Sequence, residues 1–183
     1  MVEKAIGFIE TDSIAAGIEA ADAAVKRASV ELLEARSICP GKFMVLFRGD
    51  TSQVNNALRA GVQIAGAAVV DTLFLPNAHP AIFSALDLSS ESTNGAALGI
   101  IETVTAASCI VASDAAAKAA DVNLLELRLA NGLGGKSFLL MEGEVSDVEA
   151  SVAAGIVHPT EEGLLVRKTV ITQLADQVRE KIV

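Results

Sequence analysis

The sequence contains no tryptophan, no tyrosine and only six phenylalanines. Any core it builds is therefore aliphatic and small-grained, drawn from the Ala, Val, Leu and Ile that dominate its 51% hydrophobic content. Long apolar runs are also missing, despite a mean hydropathy of +0.47. The longest uncharged stretch, Thr72 to Leu86, falls short of the roughly 20 apolar residues that a spanning helix needs. It also holds two prolines, an Asn and a His. No basic segment precedes an apolar run near the start, so no secretion signal is expected. The chain reads as soluble and intracellular, with no membrane partner. Basic residues are scarce too, with 14 Lys+Arg against 23 Asp+Glu and a net charge of −9. The only adjacent basic pairs are Lys26-Arg27 and Arg167-Lys168, so the basic stripe of a nucleic-acid binder is absent and no nucleic acid is expected. Two cysteines, Cys39 and Cys109, predict no structural disulfide in an intracellular chain. Two histidines leave a conventional metal site within one chain short of ligands.

What the sequence does have is an internal repeat. Its 183 residues suit one large domain or two small ones. Residues 5–38 lie on residues 97–130 at a constant offset of 92, AIGFIET on ALGIIET and DAAVKRASVELLEAR on DAAAKAADVNLLELR. About half of these positions are identical. After a two-residue insertion the match resumes at an offset of 94, with Gly41-Lys42 on Gly135-Lys136 and Val54 on Val148. Units of this size are whole small domains, since solenoid repeats run nearer 20–50 residues. We place the domains at 1–90 and 95–183, joined by the polar stretch Ser89 to Asn94.

Hydrophobic periodicity gives each copy the same elements. Ala5–Thr11 reads as a strand, and Ile14, Ile18, Ala21, Val25 and Ala28 recur at helical spacing over about Asp12 to Ala28. Val30–Ile38 and Lys42–Arg48 read as strands, the latter with Phe43, Val45 and Phe47 on one face. Asp50-Thr51-Ser52-Gln53 has the form of a capping box before Val54, Leu58, Val62 and Ala65, and Val69–Leu75 closes the unit. The second copy predicts strands at Ala97–Thr103, Val122–Leu129, Lys136–Glu142 and Gly163–Val170, with helices ending at Ala120 and spanning Glu144–Ile156. A last helix is expected over Thr172–Ile182. The fold class is α+β, two tandem units of order β-α-β-β-α-β, the ferredoxin-like arrangement.

GFIETDSIAAGIEAADAAVKRASVELL resembles the first half of a bacterial microcompartment shell domain, and the resemblance extends over both copies. It implies a non-enzymatic tandem-domain shell protein in the shell of a cytoplasmic polyhedral organelle. It further implies a homotrimer with pseudo-sixfold symmetry, joined edge to edge with other shell proteins. Three duplicated chains can supply the six wedges of a closed ring. Lys26 and Lys118, following DAAV and DAAA, correspond to the family's tile-edge lysine. The family's Pro-Arg-Pro-His is replaced by Pro76-Asn77-Ala78-His79 in the first copy and Thr172-Gln173-Leu174 in the second, so the partner arginine is absent.

The copies differ most in the loop that faces the central pore in this family. The first reads Ser37-Ile38-Cys39-Pro40-Gly41-Lys42, the second Ala130-Asn131-Gly132-Leu133-Gly134-Gly135-Lys136. Ile-Cys-Pro-Gly-Lys is similar to the loop of iron–sulfur shell proteins from propanediol-utilisation compartments. The resemblance implies a [4Fe–4S] cluster, one per trimer, held by Cys39 of three chains. It would move electrons across the shell wall, with a redox enzyme of the lumen as partner. A cubane ordinarily takes four thiolates, so three chains would leave one iron for another ligand. The alternative is a structural tile whose pore passes small metabolites.

Other motifs are read as structural. Cys109 lies mid-helix among Ala106, Ala107 and Ile110, the setting of core packing. Gly134-Gly135-Lys136-Ser137 is not a phosphate loop, because a strand rather than a helix is expected to follow the lysine. His79-Pro80 and His158-Pro159 read as turns. The repeated Asp22/Asp114 and Glu10/Glu102 pairs read as structural carboxylates.

Overall fold

A computed structural model describes residues 4–182. The chain divides into two compact units between Ala78 and His79. Unit 1 runs β1 (Ala5–Thr11), α1 (Ile14–Arg27), β2 (Glu31–Ile38), β3 (Lys42–Gly49), α2 (Thr51–Ala65) and β4 (Val69–Leu75). Its strands form one antiparallel sheet in the order β2-β3-β1-β4. Unit 2 contains α3 (Ala81–Leu86), β5 (Ala97–Thr103), α4 (Ala106–Ala119), β6 (Asn123–Leu129) and β7 (Ser137–Gly143). It continues through α5 (Val145–Gly155), α6 (Val157–Glu161) and β8 (Leu165–Thr172) to α7 (Asp176–Ile182). Its sheet order, β6-β7-β5-β8, repeats that of unit 1. The register repeats as well. Ala5 faces Gly49 and Ala97 faces Gly143, each at the start of the central pair.

Pairing follows from the alternation of side chains across a strand. In unit 1, Ile9 with Phe43, Val45 and Phe47 points to the helices and packs on Ala20, Ala24, Val54 and Ala57. The opposite face of the same strands carries Ile6, Phe8, Met44 and Leu46, all fully buried. β3 is thus buried on the face that carries Phe43, Val45 and Phe47 and on the opposite one as well.

Each first helix is capped by the same device. The Ser13 hydroxyl accepts from Ala16 N at 3.3 Å, and Thr105 accepts from Ser108 N at 3.2 Å. The Asp50 capping box does not form, since Asp50 makes no side-chain hydrogen bond to the helix.

Four further expectations are corrected. The buried stripe of α1 is Gly17, Ala20, Ala21 and Ala24, while Ile14, Ile18 and Val25 lie outside. α1 and α2 approach too closely for larger residues, because a Cβ on Gly61 would sit 3.0 Å from the Ala20 carbonyl oxygen. Helix α3, absent from the sequence reading, packs on α4 and β6 through buried Ile82 and Ala85. The compact units accordingly divide after Ala78, with α3 on the side of unit 2. The outer bounds at residues 1 and 183 lie outside the described residues. Thr172 ends a strand, and the last helix begins at Asp176. His158 lies within α6, whereas His79 does sit in a turn before α3. Among the described residues no helix is long and apolar enough to cross a membrane.

Candidate functional site

The edge strand β2 or β6 and its neighbour β3 or β7 are joined in each sheet by the loops in which the copies differ. In unit 1 the connection between β2 and β3 is three residues long, Cys39-Pro40-Gly41, and the Cys39–Pro40 peptide is cis. Its base is firm, with Ser37 pairing Phe43, Ile38 pairing Lys42, and Ile38 itself buried. Ser37, Pro40 and Gly41 are exposed and the Cys39 thiol is half-buried. Gly41 has φ +70° with open space where a Cβ would stand, so backbone conformation rather than room favours glycine. Lys42 donates to the buried Glu10 carboxylate at 2.6 Å, tying the foot of the loop to β1.

In unit 2 the corresponding loop is longer, from Ala130 to Lys136. It winds through left-handed backbone at Ala130, Gly132, Gly134 and Gly135, with φ between 51° and 94°. Ala130 N donates to Ser137 Oγ at 3.1 Å, which anchors the loop where unit 1 has Phe43. Asn131, Gly132 and Gly134 are exposed, and Leu133 and Gly135 are half-buried. Lys136 lies 3.7 Å from Glu102, a looser version of the Lys42–Glu10 pair. A strand follows Lys136, as expected, and no helix N-terminus is present to hold a phosphate.

The two cysteines have opposite surroundings. Cys109 is fully buried on α4, and burial pushes its thiol up to about 12 against the opposing hydrogen bonds of Thr103 and Ser113. It stays protonated and unreactive, which is the core role expected of it. Among the described residues no group of three or more His, Cys, Asp or Glu is placed to hold a metal ion. One accessible thiol per chain matches the donor chemistry of an iron–sulfur cluster only where several chains share it.

Lys26 and Lys118 lie away from these loops, in the last turns of α1 and α4, where a cation suits the helix dipole. Lys26 reaches Asp22 at 2.6 Å and Lys118 reaches Asp114 at 2.7 Å. Asp114 also accepts from His79 N at 2.8 Å. Both repeated acidic pairs are therefore engaged in ion pairs.

The sequence reading missed Glu142, on β7. Its side chain has no exposure, and it accepts from Ser92 Oγ at 3.0 Å, Gly95 N at 3.2 Å and Arg179 at 2.9 Å, as well as from Thr93. Burial alone would raise its pKa, but the hydrogen bonds of Thr93, Ser92, Gly95 and Asn123 outweigh it and hold the carboxyl below its usual range. The clasp ties the inter-repeat segment and α7 to one strand. A signal existed in the alignment, since Glu142 replaces Arg48, which in unit 1 makes a two-pronged pair with Glu31.

Two copies of one ferredoxin-like unit, each presenting a variable loop between its second and third strands in chain order, have the architecture of a tandem shell protein. The chain belongs to the BMC domain family, whose model matches residues 5–78 and again 97–174. It is a shell protein of a bacterial microcompartment, a structural component and not an enzyme, and its place is the shell in the bacterial cytoplasm. It is 42% identical over 170 residues to the bacterial microcompartment shell protein PduT of Citrobacter freundii, an alignment covering 93% of this chain and 92% of that one. The carboxysome shell protein CcmK2 of Thermosynechococcus vestitus is 40% identical over 79 residues, 41% of this chain and 78% of its own, as a match to one repeat requires. Among solved structures, a microcompartments protein from Desulfitobacterium hafniense superimposes with a TM-score of 0.93 at 47% identity, covering 97% of this chain and 98% of that one.

Proposed function

We propose that three chains close into a pseudo-hexameric shell tile, and that Cys39 of each chain would together hold one [4Fe–4S] cluster for electron transfer across the shell. The observation that carries this reading is the half-buried Cys39 thiol in a three-residue turn braced at its foot by Lys42 and Glu10. When bound, the cluster would supply one-electron chemistry. The chain's own contribution is positional. Ile38 anchors the turn, Gly41 permits its backbone, and exposed Ser37 and Pro40 leave the thiol reachable. Lys26 and Lys118 serve the tile edge toward other shell proteins, and a redox enzyme of the lumen is the partner in transfer.

The exposed, glycine-rich loop Asn131 to Gly135 favours a second reading, a tile whose pore passes small metabolites without redox chemistry. Anaerobic iron and sulfide analysis separates the two. The cluster reading expects about four irons per three chains, lost in Cys39→Ser and kept in Cys109→Ser. Full iron in reconstituted Cys39→Ser overturns it, and an iron-free parent that still forms tiles favours the metabolite pore.

A further inference from the structure

The duplication supplies a control for the ion pair at the foot of each loop. Glu10 of β1 opposes Met44 of β3, so its side chain shares a sheet face with Lys42, two residues before Met44. Lys42 also closes the turn, opposite Ile38 in register and three residues after Cys39. The Glu10 side chain is 6% exposed and lies 2.6 Å from the Lys42 ammonium. Its duplicate Glu102 is 35% exposed and lies 3.7 Å from Lys136. Closing the hairpin does not demand the tight form, since β6 and β7 pair as far as Leu129 and Ser137 with the loose one. Unit 2 anchors its loop through the neutral Ser137 hydroxyl, where unit 1 has Phe43. The tight charge pair therefore accompanies the loop that carries a thiol, and the neutral anchor accompanies the loop that does not.

A charged anchor also sets the electrostatics of the turn. A carboxylate as buried as Glu10 needs a counter-charge. The same contact engages an ammonium that would otherwise stand unpaired beside the turn. An unpaired cation near a thiol favours the thiolate, and net charge is one of the terms that sets the potential of an iron–sulfur group. Arg36, as near to Cys39 in sequence on the other side, is likewise paired, to Glu34. We infer that Glu10 is a positioning residue for the Cys39 site: it seats the turn through Lys42 and cancels the Lys42 charge, so that the foot of the loop presents no net charge to the thiol or to a group the thiol holds. This role rests on the cluster reading above and adds the charge balance of the site.

The test compares the full-length parent with Glu10→Gln and with the double variant Glu10→Gln, Lys42→Gln. Glu10→Gln removes a buried charge at constant shape and leaves Lys42, itself half-buried, able to reach water, so circular dichroism should show the fold retained. Its Lys42 keeps its charge without a partner. Cys39 of the cluster-free chain should then be alkylated by iodoacetamide about threefold faster at neutral pH, and the gain should shrink in about 1 M salt. The double variant restores neutrality with two amides that can still hydrogen-bond, so its rate should return to the parent's. The reduction potential of the reconstituted cluster should follow the same order, higher in Glu10→Gln and back near the parent in the double variant. A pair that acts only as a mechanical brace would leave the double variant no closer to the parent than the single one, and that result overturns the inference. Equal alkylation rates in all three proteins overturn it as well. An iron-free parent fails the cluster reading alone, and the alkylation rates then decide the charge role.

Discussion

Replacing Glu142 by glutamine changes one oxygen to an amide and leaves the shape of the side chain alone. The consequences follow from its surroundings. The carboxylate accepts from Thr93, Ser92, Gly95 and Asn123 and faces the Arg179 guanidinium, with no side-chain exposure. Glutamine has one acceptor oxygen where the carboxylate has two, so at least one backbone N–H of the clasp loses its partner. Arg179, only 15% exposed, also loses its counter-charge. Breaking a buried pair by removing one member costs about 3–5 kcal/mol. For a chain of this length that corresponds to a fall of about 6–20 °C in the thermal midpoint at neutral pH. The pH dependence is the sharper part. The folded-state pKa of Glu142 lies below the usual range, so its stabilisation is complete above the unfolded value of about 4.3 and is lost as pH falls through the folded value. Thermal melts of parent and variant should differ by a constant gap near neutrality and converge only in acid. Hydrogen exchange should show the loss locally, at residues 92–95 and in α7. A variant that melts with the parent at neutral pH refutes the reasoning, as does a gap of the same size in acid.

A thiol reagent at neutral pH should label one cysteine per native chain, Cys39, because Cys109 combines zero exposure with a pKa near 12. Mass spectrometry checks it, and two labels on native protein would contradict the burial of α4. Lys26→Ala with Lys118→Ala should leave the fold and the isolated tile intact, since the Lys26–Asp22 pair is exposed and the buried Asp114 keeps its hydrogen bond from His79 N, but should reduce extended sheets seen by electron microscopy. Sheets as extensive as the parent's would remove the tile-edge role.

The strands and long helices were legible because their periods are regular and occur twice. The side of α1 that faces inward was not. Hydrophobicity ranks Ile and Val above Ala and Gly, so Ile14, Ile18 and Val25 drew the reading to one side. Close packing of α1 on α2 selects for small residues and put Gly17, Ala20 and Ala24 on the other. Helix α3 is six residues long, too short to show a period of 3.6. The Cys39 loop could be read as the place of divergence between copies, and its brace by Lys42 and Glu10 could not, because that pair joins residues 32 apart in sequence. Glu142 was hidden for the same reason, its partners coming from the inter-repeat segment, from β6 and from α7.

The difference between the three-residue turn and its seven-residue counterpart bears on valence. A ring of six identical domains can present a loop side chain six times or not at all. Fusing two domains into one chain lets the copies diverge, so a ring of three chains can offer a functional group three times, alternating with a loop of different length and chemistry. Odd multiplicity is then available from a sixfold frame, and under the proposed function ligation and aperture would be altered independently, the first through residues 39–41 and the second through residues 130–136.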